Sequence, residues 1–320
     1  MAEIVLAVAS SHSPQLSIDP QGWEALGALD RTNPRIPFDR LQAERARALG
    51  PALDPTAWRA RHARCQAALD EIRRFLRDHP VDVLVVVGDD QGELWGPEEH
   101  PAFAIGCGEA LWDVPIDPET VAPAYRPALW AWHGTEPEPV RGHPALARHL
   151  LKELTAEGFD LTQVSHQLPG RTLGHAFTFV RRRLEVPAHV PIIPVMVNAF
   201  FPPNLPTPAR CWALGEALGR AVRAWPEELR VGLVASGGLS HFVVDEALDR
   251  MVLDAILEGR PDRLAALPGD ALTSGTAEIR NWIAVAAALP ETLRPELIDY
   301  VPVYRSEAGT GVGMGFVRWH

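Results

Sequence analysis

The chain has 320 residues, of which 47% are hydrophobic and 22% are charged, and its formal net charge is −11. These proportions are ordinary for a soluble globular protein and exclude collagen-like, disordered and disulfide-scaffold chains. The negative charge disfavours nucleic acid and anionic membrane surfaces as partners. The three cysteines are widely spaced and fit a reducing compartment. Since no basic leader and no apolar run of membrane-spanning length is found, we expect a cytoplasmic protein.

Short apolar runs typical of buried strands alternate with segments of helical periodicity. The runs lie at 4–9, 83–87, 161–164, 192–197 and 231–235. The helical segments are 57–78, 144–157, 172–183, 208–224, 244–259 and 277–288. This alternation predicts one α/β domain over residues 1–320, with a central mixed β-sheet flanked by helices on both faces. We expect 17–56 to be a polar, turn-rich insertion and 300–320 to form two short strands.

Polar residues follow two of the predicted strands directly. His12 stands among small hydroxyl residues after the run 4–9, and Asp89-Asp90-Gln91 follows the run 83–87. Ligand sites in open α/β sheets lie outside the carboxyl ends of strands, so both segments are candidates for binding a metal or moving a proton. Each segment also has a simpler interpretation. His12 would then be a loop histidine with local hydrogen bonds, and the aspartates would belong to a solvated turn.

Three further segments carry candidate residues. Glycines in 237–241 let the backbone turn tightly beside a ligand, and His241 is suited to proton transfer near neutral pH. Neither a phosphate-binding loop nor a nucleophile elbow is present there. Glu278 falls in the first turn of a predicted helix, where a carboxylate also simply favours the helix dipole. His175 begins another helical segment, a position that a core histidine commonly occupies.

Taken in order, these segments resemble the class III extradiol ring-cleavage dioxygenases of the LigB type. The resemblance spans about residues 4–285, with a gap at 17–56. Its motifs are Ser10-Ser11-His12-Ser13-Pro14, the stretch 101–107, Gly142-His143-Pro144, and the stretches 194–198, 210–215, 237–241 and 278–282.

The resemblance implies a mononuclear non-haem Fe(II) cofactor and an enzyme that inserts both atoms of O₂ into a catecholic ring and opens it. The ring is expected to carry a carboxylate or methoxy group. His12 and Glu278 match metal ligands of the family, and His241 matches its catalytic acid and base. His175 matches a second active-site histidine. A two-histidine, one-carboxylate face leaves adjacent positions on iron for a diol and for O₂.

One position departs from the family pattern. The second histidine ligand is replaced by Gln91, whose neutral amide oxygen is a much weaker iron ligand than imidazole. Three interpretations stay open: Gln91 coordinates weakly or yields to water, another histidine takes its place with His62 as the first candidate, or the iron site is lost. Asp90 and Ser240 are expected beside the substrate or the ligands.

Three functions therefore stay open. The first is the dioxygenase, and the second is a non-catalytic aromatic-binding or accessory subunit. The weakest is a metal-dependent hydrolase that uses His12, Asp90 and Glu278 around a cation with bound water. A small aromatic diol and O₂ are the expected small-molecule partners. The resemblance also implies a separate small helical subunit, and the proline-rich loops 112–144 and 199–208 favour a homo-oligomer.

Overall fold

The structure is a computed structural model that describes residues 1–96 and 98–320, and for Pro261 the backbone alone. The strands are β1 (Ala2–Ser10), β2 (Val83–Gly88), β3 (Phe103–Gly106), β4 (Ala110–Asp113), β5 (Glu138–Arg141), β6 (Thr162–Val164), β7 (Ile192–Val197), β8 (Leu229–Ser236), β9 (Pro295–Tyr304) and β10 (Gly311–Trp319). The helices are α1 (Trp23–Arg31), α2 (Phe38–Leu49), α3 (Pro55–Asp78), α4 (Leu129–Trp132), α5 (Pro144–Ala156), α6 (His175–Arg183), α7 (Pro208–Arg223), α8 (Glu246–Leu257) and α9 (Ile279–Ala288). None of the described helices has the length and apolarity to cross a membrane.

Most of the strands join in one mixed sheet with the order β6-β3-β7-β2-β8-β1-β10-β9. Strands β7, β2, β8 and β1 run parallel, whereas β10 is antiparallel to β1 and β3 is antiparallel to β7. Strands β4 and β5 pair separately. The carboxyl ends of the four parallel strands therefore lie at one edge of the sheet, where ligand sites of open α/β folds occur.

The central strands are buried on both faces. Val85 and Val87 of β2 belong to one hydrophobic core, and Leu84 and Val86 between them belong to the other. Helices α5, α7, α8 and α9 cover the first face, and α1, α3 and α6 cover the second. Because parallel strands are covered on both sides, they appear in the sequence as continuous Val- and Ile-rich runs. The predicted α/β class with helices on both faces is confirmed.

Capping residues explain where several helices begin. Asp54 accepts a hydrogen bond of 2.7 Å from the backbone N–H of Thr56, and α3 starts between them with a proline. Asp245 caps α8 in the same way, so this helix starts later than the predicted 244. Gly259, with a φ of 67°, lies just beyond its end.

Three parts of the chain differ from the prediction. The segment 17–56 contains α1 and α2, and α1 buries Trp23 and Leu26 in the second core. Strand β3 and the β4–β5 pair were not predicted, because four-residue strands give too little alternation to recognise. At the end of the chain, β9 and β10 are long strands of ten and nine residues and not short ones.

Candidate functional site

Loops at the carboxyl edge of the sheet bring five of the predicted site residues to one cavity of about 310 Å³. His12 follows β1, Gln91 follows β2, and His241 follows β8, while His175 begins α6 and Glu278 directly precedes α9. All five side chains line this cavity. Residues from distant parts of the chain thus meet where the parallel strands end.

His12 is held between a hydroxyl group and a carboxylate. Its Nδ1 lies 3.1 Å from Ser236 Oγ, and that hydroxyl donates its own hydrogen to the carbonyl of Ala176 at 2.6 Å. Nδ1 must therefore be the protonated nitrogen, which leaves Nε2 of the neutral ring with a free lone pair. Nε2 lies 3.4 Å from Glu278 Oε2, is buried, and has no hydrogen-bond partner among the described residues. This is the orientation of a metal-binding imidazole.

Glu278 is a fully enclosed acid of the site, with 1% of its surface exposed. Its Oε2 accepts a hydrogen bond from the Gly238 N–H at 2.6 Å, and its Oε1 lies 3.2 Å from His241 Nε2. Burial alone would raise the pKa of Glu278, but the neighbouring imidazoles, His241 first and then His12, outweigh it and hold the pKa well below its usual range. Glu278 is therefore a carboxylate. It ends the turn Ser274–Glu278, immediately before the helix in which it was predicted.

Asp89 is the acid after β2 that faces this centre. An oxygen of Asp89, a nitrogen of His12 and an oxygen of Glu278 lie within 4.8 Å of one another. Burial and the nearby Glu278 raise the pKa of Asp89 to about 6. The Gln91 amide nitrogen donates to Asp89 Oδ2 at 3.1 Å and to Glu278 Oε1 at 3.0 Å, so it bridges the two acids.

These donors fit a divalent cation. One imidazole nitrogen with a free lone pair and two carboxylates are buried together, and Fe(II) accepts such mixed nitrogen and oxygen ligands. The set is richer in oxygen than the expected pair of histidines with one carboxylate. Gln91 contributes an amide whose oxygen and nitrogen exchange places when the group is flipped, which turns the oxygen toward the cation position.

Asp90 organises a loop and does not line the cavity. Its carboxylate accepts hydrogen bonds of 2.8–3.3 Å from three backbone N–H groups of the following turn, those of Gly92, Leu94 and Trp95. Burial and the neighbouring Glu93 raise the pKa of Asp90 to about 7. The turn interpretation applies to Asp90, and the side chain that faces the centre is that of its neighbour Asp89.

Ser240 and His62 also lie outside the set of side chains that line the cavity. Ser240 Oγ donates to Asp249 Oδ2 at 2.8 Å, which ties the loop after β8 to α8. His62 lies on α3, where its Nε2 is 3.2 Å from the Gln66 amide and its ring packs edge-on against Trp23. Neither side chain is placed to contact a ligand at His12.

His241 has one nitrogen fixed and one free to act. Its Nδ1 donates to the Leu239 carbonyl at 2.8 Å, so only Nε2 faces the cavity beside Glu278. Burial opposes protonation of the ring, but the charge of Glu278 outweighs it and raises the pKa of His241. His241 is therefore placed to hold and transfer a proton at Nε2.

A buried acid that sequence analysis did not select anchors His175. Glu93 Oε1 lies 2.6 Å from His175 Nδ1 and accepts its backbone N–H at 3.0 Å. Behind it, His133 lies 3.6 Å from the same oxygen and 2.8 Å from Asp113. Burial opposes the charge on His175, but Glu93 outweighs it and raises the pKa of His175 to about 9. The only signal in the sequence was the position of Glu93 in the acidic segment after β2.

The remaining wall of the cavity is largely apolar. It consists of side chains from the loop before α4, from α4 itself, from the loops after β7 and β8, and from the start of β10: Ile116, Val121, Tyr125, Leu129, Trp132, Phe200, Phe242 and Val312. The Trp132 ring lies 5.0 Å from the ring of His175. The cavity thus combines the polar side chains around His12 and Glu278 with a largely apolar wall.

Comparison with known proteins identifies a family and several relatives. Residues 48–316 match the family model described as the catalytic LigB subunit of aromatic ring-opening dioxygenase. Gallate dioxygenase of Pseudomonas putida is 34% identical over 166 residues, 47% of this chain and 47% of its own length. The 2,3-dihydroxyphenylpropionate/2,3-dihydroxicinnamic acid 1,2-dioxygenase of Comamonas testosteroni is 29% identical, covering 54% and 47%. The chain thus spans about half the length of these curated relatives.

Among solved structures, that of an uncharacterized protein from Escherichia coli K12 aligns with 78% of this chain and 91% of its own, with a TM-score of 0.49 and 15% identity.

Proposed function

The chain belongs to the LigB family of aromatic ring-opening dioxygenases, and on this premise we propose that it is a non-haem Fe(II)-dependent extradiol dioxygenase. The observation that carries the proposal is the convergence of His12, Asp89 and Glu278 in one buried cluster, whose His12 and Glu278 line the cavity together with His241. Gallate and 2,3-dihydroxyphenylpropionate, the compounds in the relatives' names, are aromatic rings with adjacent hydroxyl groups. A catecholic substrate and O₂ are therefore the proposed reactants.

His12 and Glu278 would hold the iron, with Asp89 and the Gln91 amide as further donors around the same position. When bound, the iron supplies adjacent positions for the two hydroxyl oxygens of the diol and for O₂. Ser236 keeps the His12 proton on Nδ1, so Nε2 is the ligand atom.

The two other histidines have distinct roles at the substrate. His241 exchanges a proton with a substrate hydroxyl through Nε2, because its Nδ1 is committed to the Leu239 carbonyl. His175 is anchored at Nδ1 by Glu93 and keeps Nε2 for a hydrogen bond to the diol or to oxygen. The apolar wall excludes water from these polar contacts.

The test is anaerobic loading with Fe(II), followed by O₂ uptake with a panel of catechols. We expect one iron per chain, O₂ consumption and the absorbance of a ring-opened product. Protein that binds no iron and forms no ring-opened product would overturn the proposal. Loading with Zn²⁺ or Mn²⁺ serves as the comparison, because a metal-dependent hydrolase would work with these ions and ignore O₂.

Gln91 favours a second candidate, a non-catalytic subunit that binds aromatic compounds. Its amide nitrogen donates to both Asp89 and Glu278 and so engages the carboxylate oxygens that a cation would use. If the site is defective, Gln91→His raises iron affinity by about tenfold or more and creates ring opening that the parent lacks. The exposed Gln21→His is the matched control. Ring opening by the unaltered chain rules this candidate out.

A further inference from the structure

We propose that the cavity takes an uncharged catechol with an apolar ring substituent and disfavours catechols that carry a carboxylate. The inference rests on the proposed function, because it assumes that the diol lies beside His12 and Glu278. The substituent then extends toward the apolar wall. This preference differs from the relatives, whose names refer to carboxylate-bearing compounds.

The positive charge of the one arginine that lines the cavity is already neutralised. Arg305 is the only Arg or Lys among the described residues that line it. Its Nε and Nη2 donate to the two oxygens of Asp30 at 2.6 and 2.9 Å, and its Nη1 donates to Gln15 Oε1 at 3.1 Å. A bidentate pair of this kind is the geometry by which arginine recognises a ligand carboxylate. Here Asp30 already holds the place of that carboxylate.

Breaking the ion pair between Arg305 and Asp30 is energetically unfavourable. Both side chains are buried, with 2% of Arg305 and 3% of Asp30 exposed. A substrate carboxylate that displaced Asp30 would leave a buried, unpaired charge, which is strongly unfavourable. Arg305 therefore lines the cavity without offering an unpaired positive charge.

The two glutamates that line the cavity are already paired with histidines. Glu93 and Glu278 both line the cavity, and each already neutralises a histidine, His175 at 2.6 Å and His241 at 3.2 Å. Neither histidine is therefore an unpaired cation with which a substrate carboxylate could form an ion pair. Burial raises the pKa of Tyr125, so this wall residue stays an uncharged phenol. The surroundings thus favour a neutral molecule.

The volume of the cavity and its apolar lining also suit a small, uncharged ring substituent. The volume of about 310 Å³ is at the lower end of the range of about 300–1,000 Å³ for small-molecule sites, which suits one ring with a short substituent. Ile116, Val121 and Leu129 present aliphatic surface there, and Phe200 and Phe242 present aromatic faces. Apolar groups of the substrate lose contact with water against these side chains.

A matched pair of ligands isolates the charge. 3,4-Dihydroxybenzoate and its methyl ester share the diol and the ring and differ in the carboxylate. Titrated calorimetrically into the Fe(II)-loaded protein without O₂, the ester is expected to bind about tenfold more tightly or better, as is 4-methylcatechol. Equal affinities, or tighter binding of the acid, would overturn the inference.

The same titration separates this inference from the proposed function. Tight binding of the ester without ring opening after O₂ is admitted contradicts the dioxygenase and supports the substrate preference. Ring opening with tighter binding of the acid contradicts the preference alone. If neither compound binds, both proposals fail.

A variant tests the role of the buried ion pair. Asp30→Asn frees the charge of Arg305, so the ratio of acid affinity to ester affinity is expected to rise by about tenfold. Asp39→Asn, an exposed change of the same charge on α2, should leave the ratio unchanged. Circular dichroism and a melting curve check that Asp30→Asn folds. If it does not fold, the titration of the unaltered chain with the acid and the ester still decides the substrate preference. An unchanged ratio in folded Asp30→Asn contradicts the role of Asp30.

Discussion

Ser236 decides which nitrogen of His12 can bind a metal. Its hydroxyl hydrogen is committed to the Ala176 carbonyl, so it can only accept from Nδ1. Residues that orient a ligand in this way typically contribute about 10–100-fold to metal affinity. We therefore expect Ser236→Ala to weaken iron binding by about that factor. Competition with a coloured chelator measures it, and the exposed Ser165→Ala is the control. Unchanged affinity would show that His12 does not depend on this hydrogen bond.

For single residues, the sequence predicted which segments carry site residues better than it predicted which side chain of a segment faces the site. His12, His241 and Glu278 were selected because they follow a strand or precede a helix. Asp90 was preferred over Asp89, because β2 ends at Gly88 and the alternation of a strand no longer applies beyond that point. Glu93 was missed because its partner His175 lies 82 positions away, and no local spacing indicates such a pair.

Strand β10 and helix α8 touch at a position where only glycine fits. A Cβ on Gly313 would overlap the carboxylate of Asp249. Asp249 also holds the loop of His241 through Ser240, so it cannot move freely. We expect Gly313→Ala to lower the free energy of unfolding by about 1–3 kcal/mol. Urea unfolding measures it, and Gly50→Ala, which meets no atom within 4 Å, is the control. Equal stability of the two variants would contradict this packing.

The contact between α8 and the sheet also predicts a dependence of stability on pH. Burial raises the pKa of Asp249 from 3.8 to about 6, although hydrogen bonds from Ser240 and Tyr300 oppose the shift. The folded state therefore binds this proton more tightly than the unfolded chain. The resulting stability is complete below pH 3.8 and is lost as the pH rises through about 6, a change of about 3 kcal/mol.

Asp249→Asn removes this titration. Between pH 4 and pH 6.5, the unaltered chain should lose unfolding free energy relative to the variant, as measured by urea unfolding at each pH. Asp254→Asn, an exposed change on the same helix, should follow the unaltered chain. A constant difference between Asp249→Asn and the unaltered chain across this range would contradict the shifted pKa of Asp249.

For elements, the strength of the periodic signal determined what could be predicted. The parallel strands β1, β2, β7 and β8 were found because burial on both faces makes them continuous apolar runs. Strands β3, β4 and β5 have four residues each, too few for a pattern. The segment 17–56 appeared as turns because α1 and α2 bury only a narrow stripe of each helix.

For the molecule as a whole, the proposed cation would tie the ends of β1 and β2 to the start of α9. Because His12, Asp89 and Glu278 follow or precede different elements, a cation that binds all three stabilises the folded state. At about 100 times its dissociation constant, Fe(II) should add about 2.7 kcal/mol, which raises Tm by about 5 °C.

Anaerobic melting curves with Fe(II) and with a chelator measure this shift. Glu278→Gln should abolish it, whereas His62→Ala should retain it because His62 lies on α3 beside Gln66. Loss of the shift in His62→Ala would show that this histidine reaches the iron.

The pairing of Asp30 with Arg305 has a consequence for how members of this family diverge. Arg305 belongs to the stretch 48–316 shared with the family, whereas Asp30 on α1 lies before it. The acid that pairs with Arg305 thus belongs to a helix that carries none of the three candidate metal ligands His12, Asp89 and Glu278. If Asp30 sets the preference as proposed, exchanging α1 alone would shift it between acidic and neutral aromatic compounds while those three ligands stay the same.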